Sequence, residues 1–553
     1  MSSLSKRRML WGALAVIIVL LYLVPLGSYP LMEPDEGRYA EIPREMIESG
    51  NYITPMLNYV KYFEKPAFLY WLNAASFKLL GQNEFAARFG TALCALAGAG
   101  ITAWLGAFIY GFAAGGVAGV VLATSLLYFA VGTINITDMA LSMFLTLAFA
   151  SFYIAQSTKE KKYYLLFYFA AAMAILTKGL VGIVLPGAVI FCYILATRKW
   201  KLFYKPLWLP GILLFFAVVT PWFWLVCRDN PDFFRFFFIQ EHFLRYTTKM
   251  HNRYEPFWYF LPMIPAGLMP WTAFFFALFS KKSVVRTPIN EKRKDAVKYL
   301  LLWSGVILLF FSLSDSKLIP YIAPCMPPLA ILIGADIIRM AQRKEWHGWA
   351  LQLLTVFGVV LGTGLLGYSL VGEEANITQT LPVALKMSLG LFGAPLLAWY
   401  FTRKKSANTT AVIFSLCLCA VFFIAGLLNV YNIVAPQRTM KYISQVIIKE
   451  GQKESTLAAY DDVLQGLSFY TGRRVLTVGK PGELEYGLSQ PEARDWHITK
   501  EQFLKEWREK KKPFILVIKK GGRVEELFPK GITGAAKQFE SGKYLILFNR
   551  EDK

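Results

Sequence analysis

The chain has 553 residues, 55% of them hydrophobic and 16% aromatic, and a mean hydropathy of +0.41. This composition excludes an ordinary soluble domain, and repeated apolar runs of about 20 residues call for a polytopic helical membrane protein. The formal charge of +22 then belongs to cytoplasmic connections and not to a nucleic-acid surface.

In chain order, thirteen spans are expected, at 9–27, 85–110, 113–132, 138–156, 163–177, 179–197, 207–227, 257–280, 299–314, 319–338, 350–371, 383–402 and 410–431. The first run, Leu10 to Gly27, is read as a span because no small-residue cleavage site follows it. Lys6, Arg7 and Arg8 hold the N-terminus in the cytoplasm, and even-numbered spans return there. The connections on that side read "TKEKK", "RKWKLFYK", "KKSVVRTPINEKRKDAVK", "RMAQRKEW" and "TRKK". All are basic, as the positive-inside rule requires. Residues 1–431 are thus expected to form the membrane domain, with 432–553 on the opposite, outer face. Cys94, Cys192, Cys227, Cys325, Cys417 and Cys419 all fall in or beside apolar runs, so no disulfide framework is implied.

The tail is soluble in character. "STLAAYD", "RRVLTVG", "KPFILVIKK" and "GKYLILFN" predict strands; "DVLQGLSFYTG" and "EQFLKEWREKKK" predict helices. Their alternation predicts a small α/β domain. No phosphate loop, metal cluster or catalytic triad stands out in it.

The same topology gathers the polar stretches on the outer face. The loop at 28–84 carries "EPDEGRYAEIPREM" (33–46) and "YFEKP" (62–66). Pro34 suits a first helical turn, and Asp35 and Glu36 would meet its positive end. Asp35 and Arg38 are three apart and share a helical face, so they can simply pair. Glu64 and Lys65 precede a proline, which favours extended backbone. The amphipathic, aromatic "PAFLYWLNAASFKLLG" follows, as expected of an interfacial helix. The loop is therefore two surface helices joined by a charged, partly extended link, which suits a lipid headgroup. Further on, Asp138 opens the fourth span, either as a helix-terminal acid or as a site residue. Lys178 is the one charge in the apolar stretch Tyr163–Ala196. It either snorkels to water or needs a partner, for which an anionic phosphate is the natural candidate. In the loop after the seventh span, Arg235, Arg245 and Arg253 could grip phosphates or face lipid headgroups. His242 and His251 are the histidines of the outer loops. Transporters place ionisable groups near the bilayer midplane, often in repeated halves; here the polar residues collect at one face and no repeat is evident.

These motifs, with "TDMA", "TKG", "EHFLRY…PFWYF" and "SKLIPYIAPCMPPLA" in the same order, resemble the 4-amino-4-deoxy-L-arabinose (lipid A) transferases, the ArnT-like branch of the protein O-mannosyltransferase superfamily with the GT-C membrane fold. The resemblance runs through nearly all of the membrane region. It implies thirteen spans, a periplasmic α/β tail, and a bacterial inner-membrane enzyme associated with polymyxin resistance. That enzyme would take a sugar from undecaprenyl phosphate to lipid A as a monomer. By this resemblance Asp35 is the essential acid, with Arg38 and Asp138 beside it in the catalytic set. Lys65, Arg245 and Lys178 hold donor phosphate, and Tyr39, Tyr62 and Tyr321 line the donor cavity. A zinc between Glu64 and His242 is a family feature; if Gln240 is the true equivalent of that histidine, the metal falls away. Gly37 stands where some relatives carry a larger residue, a change expected to matter little.

Cations aimed at developing charge can stabilise the leaving phosphate, and direct displacement inverts the anomeric centre. Asp35 is then a base toward a hydroxyl acceptor, or a positioner toward an acceptor phosphate that is already anionic. The competing expectations are the same chemistry on protein or another glycan with another sugar, and a lipid or sugar transporter.

Overall fold

Lipid offers the backbone no hydrogen bonds, so long apolar runs become helices. The computed structural model describes residues 3–204, 209–244, 255–343, 377–403, 409–450 and 454–550, with scattered positions between 353 and 367. Among them, seven helices are by themselves long and apolar enough to cross a membrane: Met9–Gly27, Glu84–Tyr110, Thr137–Thr158, Leu209–Asp229, Glu291–Leu313, Ile319–Arg343 and Ile413–Tyr431. An eighth is obtained if the bent pair Phe112–Ala123 and Leu126–Gly132 counts as one span. The runs expected at 163–177 and 179–197 form helices of 17 residues each, Lys162–Lys178 and Val181–Thr197. The expected span at 350–371 falls mostly outside the described residues.

Two expected spans are broken. The run at 113–132 bends by 66° at Thr124 and Ser125. Both hydroxyls donate back to carbonyls one turn earlier, Thr124 to Val120 at 2.7 Å and Ser125 to Val121 at 2.6 Å, a habit that bends helices. The Trp271 indole donates to the Thr124 hydroxyl at 2.9 Å and holds the bend. The run at 257–280 is not one helix but two short ones, Phe260–Gly267 and Thr272–Ala277. Pro270 stands between them and supplies no amide to continue the helix.

The chain divides into two compact units. One comprises Met1–Pro25, Thr91–Trp224 and Phe234–Val430; the other comprises Leu26–Gly90, Leu225–Phe233 and Tyr431–Lys553. The second unit therefore holds both the first loop and the tail.

In the loop, helices Asp35–Ser49 and Phe68–Leu80 form where expected, but the first is not the surface helix its charges suggested: Glu36 through Met46 are buried. The link between them contains a hairpin of β1 (Met56–Leu57) and β2 (Val60–Lys61). Asn58 and Tyr59 turn it with φ of 55° and 60°, the left-handed pair that a two-residue hairpin needs. The Asn58 side chain pins the turn to the tail, donating to the Val475 carbonyl at 2.7 Å and accepting from its amide at 2.8 Å.

The tail folds around six strands: β3 (Thr456–Tyr460), β4 (Leu476–Val478), β5 (His497–Ile498), β6 (Phe514–Lys519), β7 (Lys537–Ser541) and β8 (Tyr544–Phe548). Their order is β5-β4-β3-β6-β8-β7, parallel from β5 to β6 and antiparallel at β8 and β7. Alternate residues of β6 enter two cores. Phe514, Leu516 and Ile518 pack with Phe503 and Trp507, while Ile515 and Val517 pack with Ile443, Ile447 and Leu467. A strand covered on both faces reads as one continuous apolar run, which is why "FILVI" was legible.

Candidate active site

The opening motif separates two neighbouring carboxylates. Glu36 is fully buried, and Arg88 grips it with Nε and Nη2 at 2.7 and 2.8 Å. The remaining Arg88 donors reach the carbonyls of Leu26 and Tyr29 at 2.7 Å and of Pro30 at 2.9 Å. The Met32 amide donates at 3.0 Å to Glu36 Oε2, the oxygen that also accepts from Arg88 Nη2. This ion pair is sealed and saturated, and it folds the chain before Asp35 into one shape.

Asp35, one residue earlier, keeps 54% of its side chain exposed. Arg38 Nη1 lies 3.2 Å from it, so the pair expected from the spacing forms. The guanidinium has a second partner from the tail. Glu483 Oε2 lies 2.5 Å from Arg38 Nη2, and Oε1 accepts from Nε at 3.3 Å. Gln465 donates to the same Glu483. The rings of Tyr39 and Tyr62 stand 5.8 and 5.9 Å from the guanidinium, and Tyr70 stacks on Tyr39 at 6.1 Å. The buried hydroxyls of Tyr62 and Tyr70 have no hydrogen-bond partner among the described residues. Burial raises both well above the usual phenol range, so both are neutral O–H groups. Unpaired buried hydroxyls are costly in a scaffold and useful in a cavity that takes a ligand.

"YFEKP" borders this cluster. Phe63 packs edge-on against Phe233 at 5.0 Å and lies 5.4 Å from Tyr486. The Lys65 ammonium donates to the Glu64 carbonyl at 2.9 Å. The Glu64 charge acts on Arg38, Tyr62 and Glu483. Burial raises Glu483 while Arg38 opposes the shift. Glu33 accepts from the Gly466 amide at 2.7 Å, and burial still pushes its carboxyl up to about 8.

Gly37 is a correction to expectation. A Cβ there would lie 2.6 Å from the Gly466 amide nitrogen and 2.7 Å from Glu33 Oε1. The loop helix and the tail helix Gln465–Thr471 meet backbone to backbone, so a larger residue matters a great deal.

In the other compact unit, Asp138 lies in the first turn of Thr137–Thr158 and Lys178 is the last residue of Lys162–Lys178. They pair at 2.5 Å, each about 14% exposed or less, and the Lys178 ammonium sits 4.5 Å from the Tyr321 ring. The partner of Lys178 is thus a carboxylate of the chain itself. Arg245, His251 and Arg253 lie outside the described residues. His242 belongs to the helix Arg235–Leu244, but its side chain is likewise outside them. Among the described residues no three His, Cys, Asp or Glu side chains gather as metal ligands.

Reading the sequence missed Glu483, Gln465, Tyr70, Glu33 and Arg88. Arg88 had a signal, a lone cation entering an apolar run. Glu483, 445 residues from Arg38, had none.

The match to known proteins extends over the whole chain. The dolichyl-phosphate-mannose-protein mannosyltransferase family matches residues 64–224, and the aminoarabinose transferase C-terminal domain matches 443–527. The undecaprenyl phosphate-alpha-4-amino-4-deoxy-L-arabinose arabinosyl transferase 1 of Proteus mirabilis is 31% identical, over 89% of both chains. The chain belongs to the aminoarabinose transferase family. The corresponding transferase of Edwardsiella ictaluri is 29% identical over 97% of this chain and 98% of its own. The crystal structure of ArnT from Cupriavidus metallidurans bound to undecaprenyl phosphate superposes with a TM-score of 0.84, at 28% identity and 99% coverage of both chains. This aminoarabinose transferase family member is therefore a membrane-embedded glycosyltransferase with a C-terminal α/β domain, as its motifs implied.

Proposed function

We propose that the chain transfers 4-amino-4-deoxy-L-arabinose from undecaprenyl phosphate to a phosphate of lipid A. The observation that carries this is the half-exposed Asp35 carboxylate, held by Arg38 beside two unpaired tyrosine hydroxyls, in a chain of this family. The bond from the anomeric carbon to the donor phosphate oxygen breaks, and its electron pair leaves with that oxygen. An acceptor phosphate oxygen attacks from the opposite face, so the anomeric centre inverts. The acceptor is already anionic, so no proton has to be removed. Asp35 then orients the sugar, and the local excess of carboxylates (Asp35, Glu64 and Glu483 beside Arg38 and Lys65) suits a sugar that carries an amine. Lys65 moves from the Glu64 carbonyl to the leaving phosphate, where a cation counts most. Tyr39 and Tyr62 line the donor cavity. Lys178, exchanging Asp138 for a phosphate next to Tyr321, and Arg245 are the further phosphate contacts we assign.

The five basic connections support an inner-membrane orientation with the N-terminus cytoplasmic and the C-terminal domain periplasmic. The test is the lipid A mass spectrum of an envelope-defective host lacking its own transferase. Expression should add the mass of one aminopentose, and the Asp35→Ala chain should add nothing. An unchanged spectrum from the native chain, with donor still consumed by purified protein, would redirect the proposal to another acceptor.

A further inference from the structure

The spanning unit holds a second polar cavity, of about 410 Å³, that the proposed reaction does not use. Phe108 and Ile109 form an apolar wall; Lys199, Lys292 and Arg293 supply cations; Asp295 is the one carboxylate among its lining residues. That carboxylate is already engaged, with the Lys199 ammonium at 2.7 Å and the Tyr193 hydroxyl donating to it at 2.7 Å. Lys292 and Arg293 therefore face the cavity with no other carboxylate in its lining. Both lie in the first turn of the 23-residue helix Glu291–Leu313, whose Asn290 cap accepts from the Arg293 amide at 2.9 Å. A helix start and two cations together favour an anion. The Arg293 guanidinium is steadied 5.5 Å from the Tyr110 ring.

Position argues for a lipid. Tyr153 lines the same cavity and lies about 22 Å along the helix Thr137–Thr158 from Asp138, at about 1.5 Å per residue. The cavity thus sits at the far end of that helix from the Asp138–Lys178 pair. Beside Lys199, Trp200 and Tyr204 are exposed, the aromatic signature of a bilayer interface. The surrounding connections are the basic ones.

We propose that this cavity binds the phosphate-bearing headgroup of an anionic lipid from the cytoplasmic leaflet, with its acyl chain against the exposed Phe108. The inference rests on the orientation given by the basic connections, not on the sugar or the acceptor. Basic pockets between spanning helices on this side are suited to such headgroups.

The test is native mass spectrometry of the full chain in detergent, titrated with phosphatidylglycerol, cardiolipin or phosphatidylcholine. The native chain should retain one anionic lipid and no phosphatidylcholine. Lys292→Glu with Arg293→Glu should weaken that retention about tenfold or more, at about 1 kcal/mol per cation near a membrane surface. The charge-matched control Lys281→Glu with Lys298→Glu should retain it. Lys292→Gln with Arg293→Gln, which removes charge without reversing it, guards against misfolding and should weaken retention less than the double glutamate. Equal retention of phosphatidylcholine, or equal loss in the control, would overturn the site. Displacement of the lipid by inorganic phosphate at matched concentration would overturn the lipid as its source.

Discussion

Two ion pairs begin within a single turn of the first loop helix, and they serve opposite ends. The Glu36–Arg88 pair is closed: both side chains are fully buried, and each guanidinium nitrogen has a partner. The Asp35–Arg38 pair is open: its carboxylate reaches solvent, a second acid arrives from the tail, and the Tyr62 and Tyr70 hydroxyls have no partner among the described residues. A saturated pair in the interior is strong scaffold, since removing one partner strands a buried charge. An unsaturated cluster stabilises little and leaves groups free to engage a ligand. Adjacent residues of similar chemistry are separated in role by how completely they are satisfied.

The largest expected effect falls on the closed pair. Arg88→Ala leaves Glu36 buried without its cation and should destabilise the chain by about 3–5 kcal/mol, seen as lost yield and a steep fall in the melting temperature of detergent-purified protein. A melting temperature close to native would mean that Glu36 is not stranded and would erase the contrast. Next is the open pair. Asp35→Asn keeps the shape and removes the charge; donor turnover should fall by about 100-fold or more, which corresponds to roughly 2.7 kcal/mol of transition-state stabilisation, while the melting temperature holds. Near-native turnover would remove Asp35 from the reaction as both base and positioner.

The sequence revealed the open pair only in part. Asp35 and Arg38 were legible because helical geometry converts a spacing of three into a shared face. Glu483 was not, because nothing local in "KPGELEYG" marks a residue that meets Arg38 across 445 positions. Asp138 and Lys178 each drew notice alone, yet their pairing joins two helices and needs the fold. Apolar patterning made β3, β4, β6 and β8 readable. The strand β7, "KQFES", is a polar edge whose alternate residues are exposed, and it carried no such signal. The bend at Thr124 and Ser125 was hidden for the reverse reason: the apolar run continues through it, and two hydroxyls with one indole decide the geometry.

A smaller effect is expected where the loop helix meets the tail. Gly37→Ala would put a methyl within 2.6 Å of the Gly466 amide nitrogen and 2.7 Å of Glu33. Backbone can only move aside, at about 1–3 kcal/mol. Because the same contact positions Gln465 and Glu483 near Arg38, turnover should fall together with the melting temperature. An unchanged melting temperature would show that the two helices have room to part.

Glu33 gives the smallest and most specific effect. Its carboxyl is buried against the Gly466 amide, with Arg38, Glu483 and Asp462 as the charges around it, and burial lifts it from about 4.5 to about 8. The folded chain keeps a proton that the unfolded chain gives up above about 4.5. Stability from this group is therefore complete below pH 4.5 and is lost as the pH rises through 8. A glutamine keeps the acceptor for Gly466 and stays neutral at every pH. Glu33→Gln should leave the melting temperature near native at about pH 5 and flatten its decline toward about pH 8. Glu483 is present in both proteins, so the difference between the two pH curves reports Glu33 together with its charge interaction with Glu483. Parallel curves would mean that Glu33 is ionised in the folded chain, and the loop and tail would then be joined by a charged contact that the open pair tolerates.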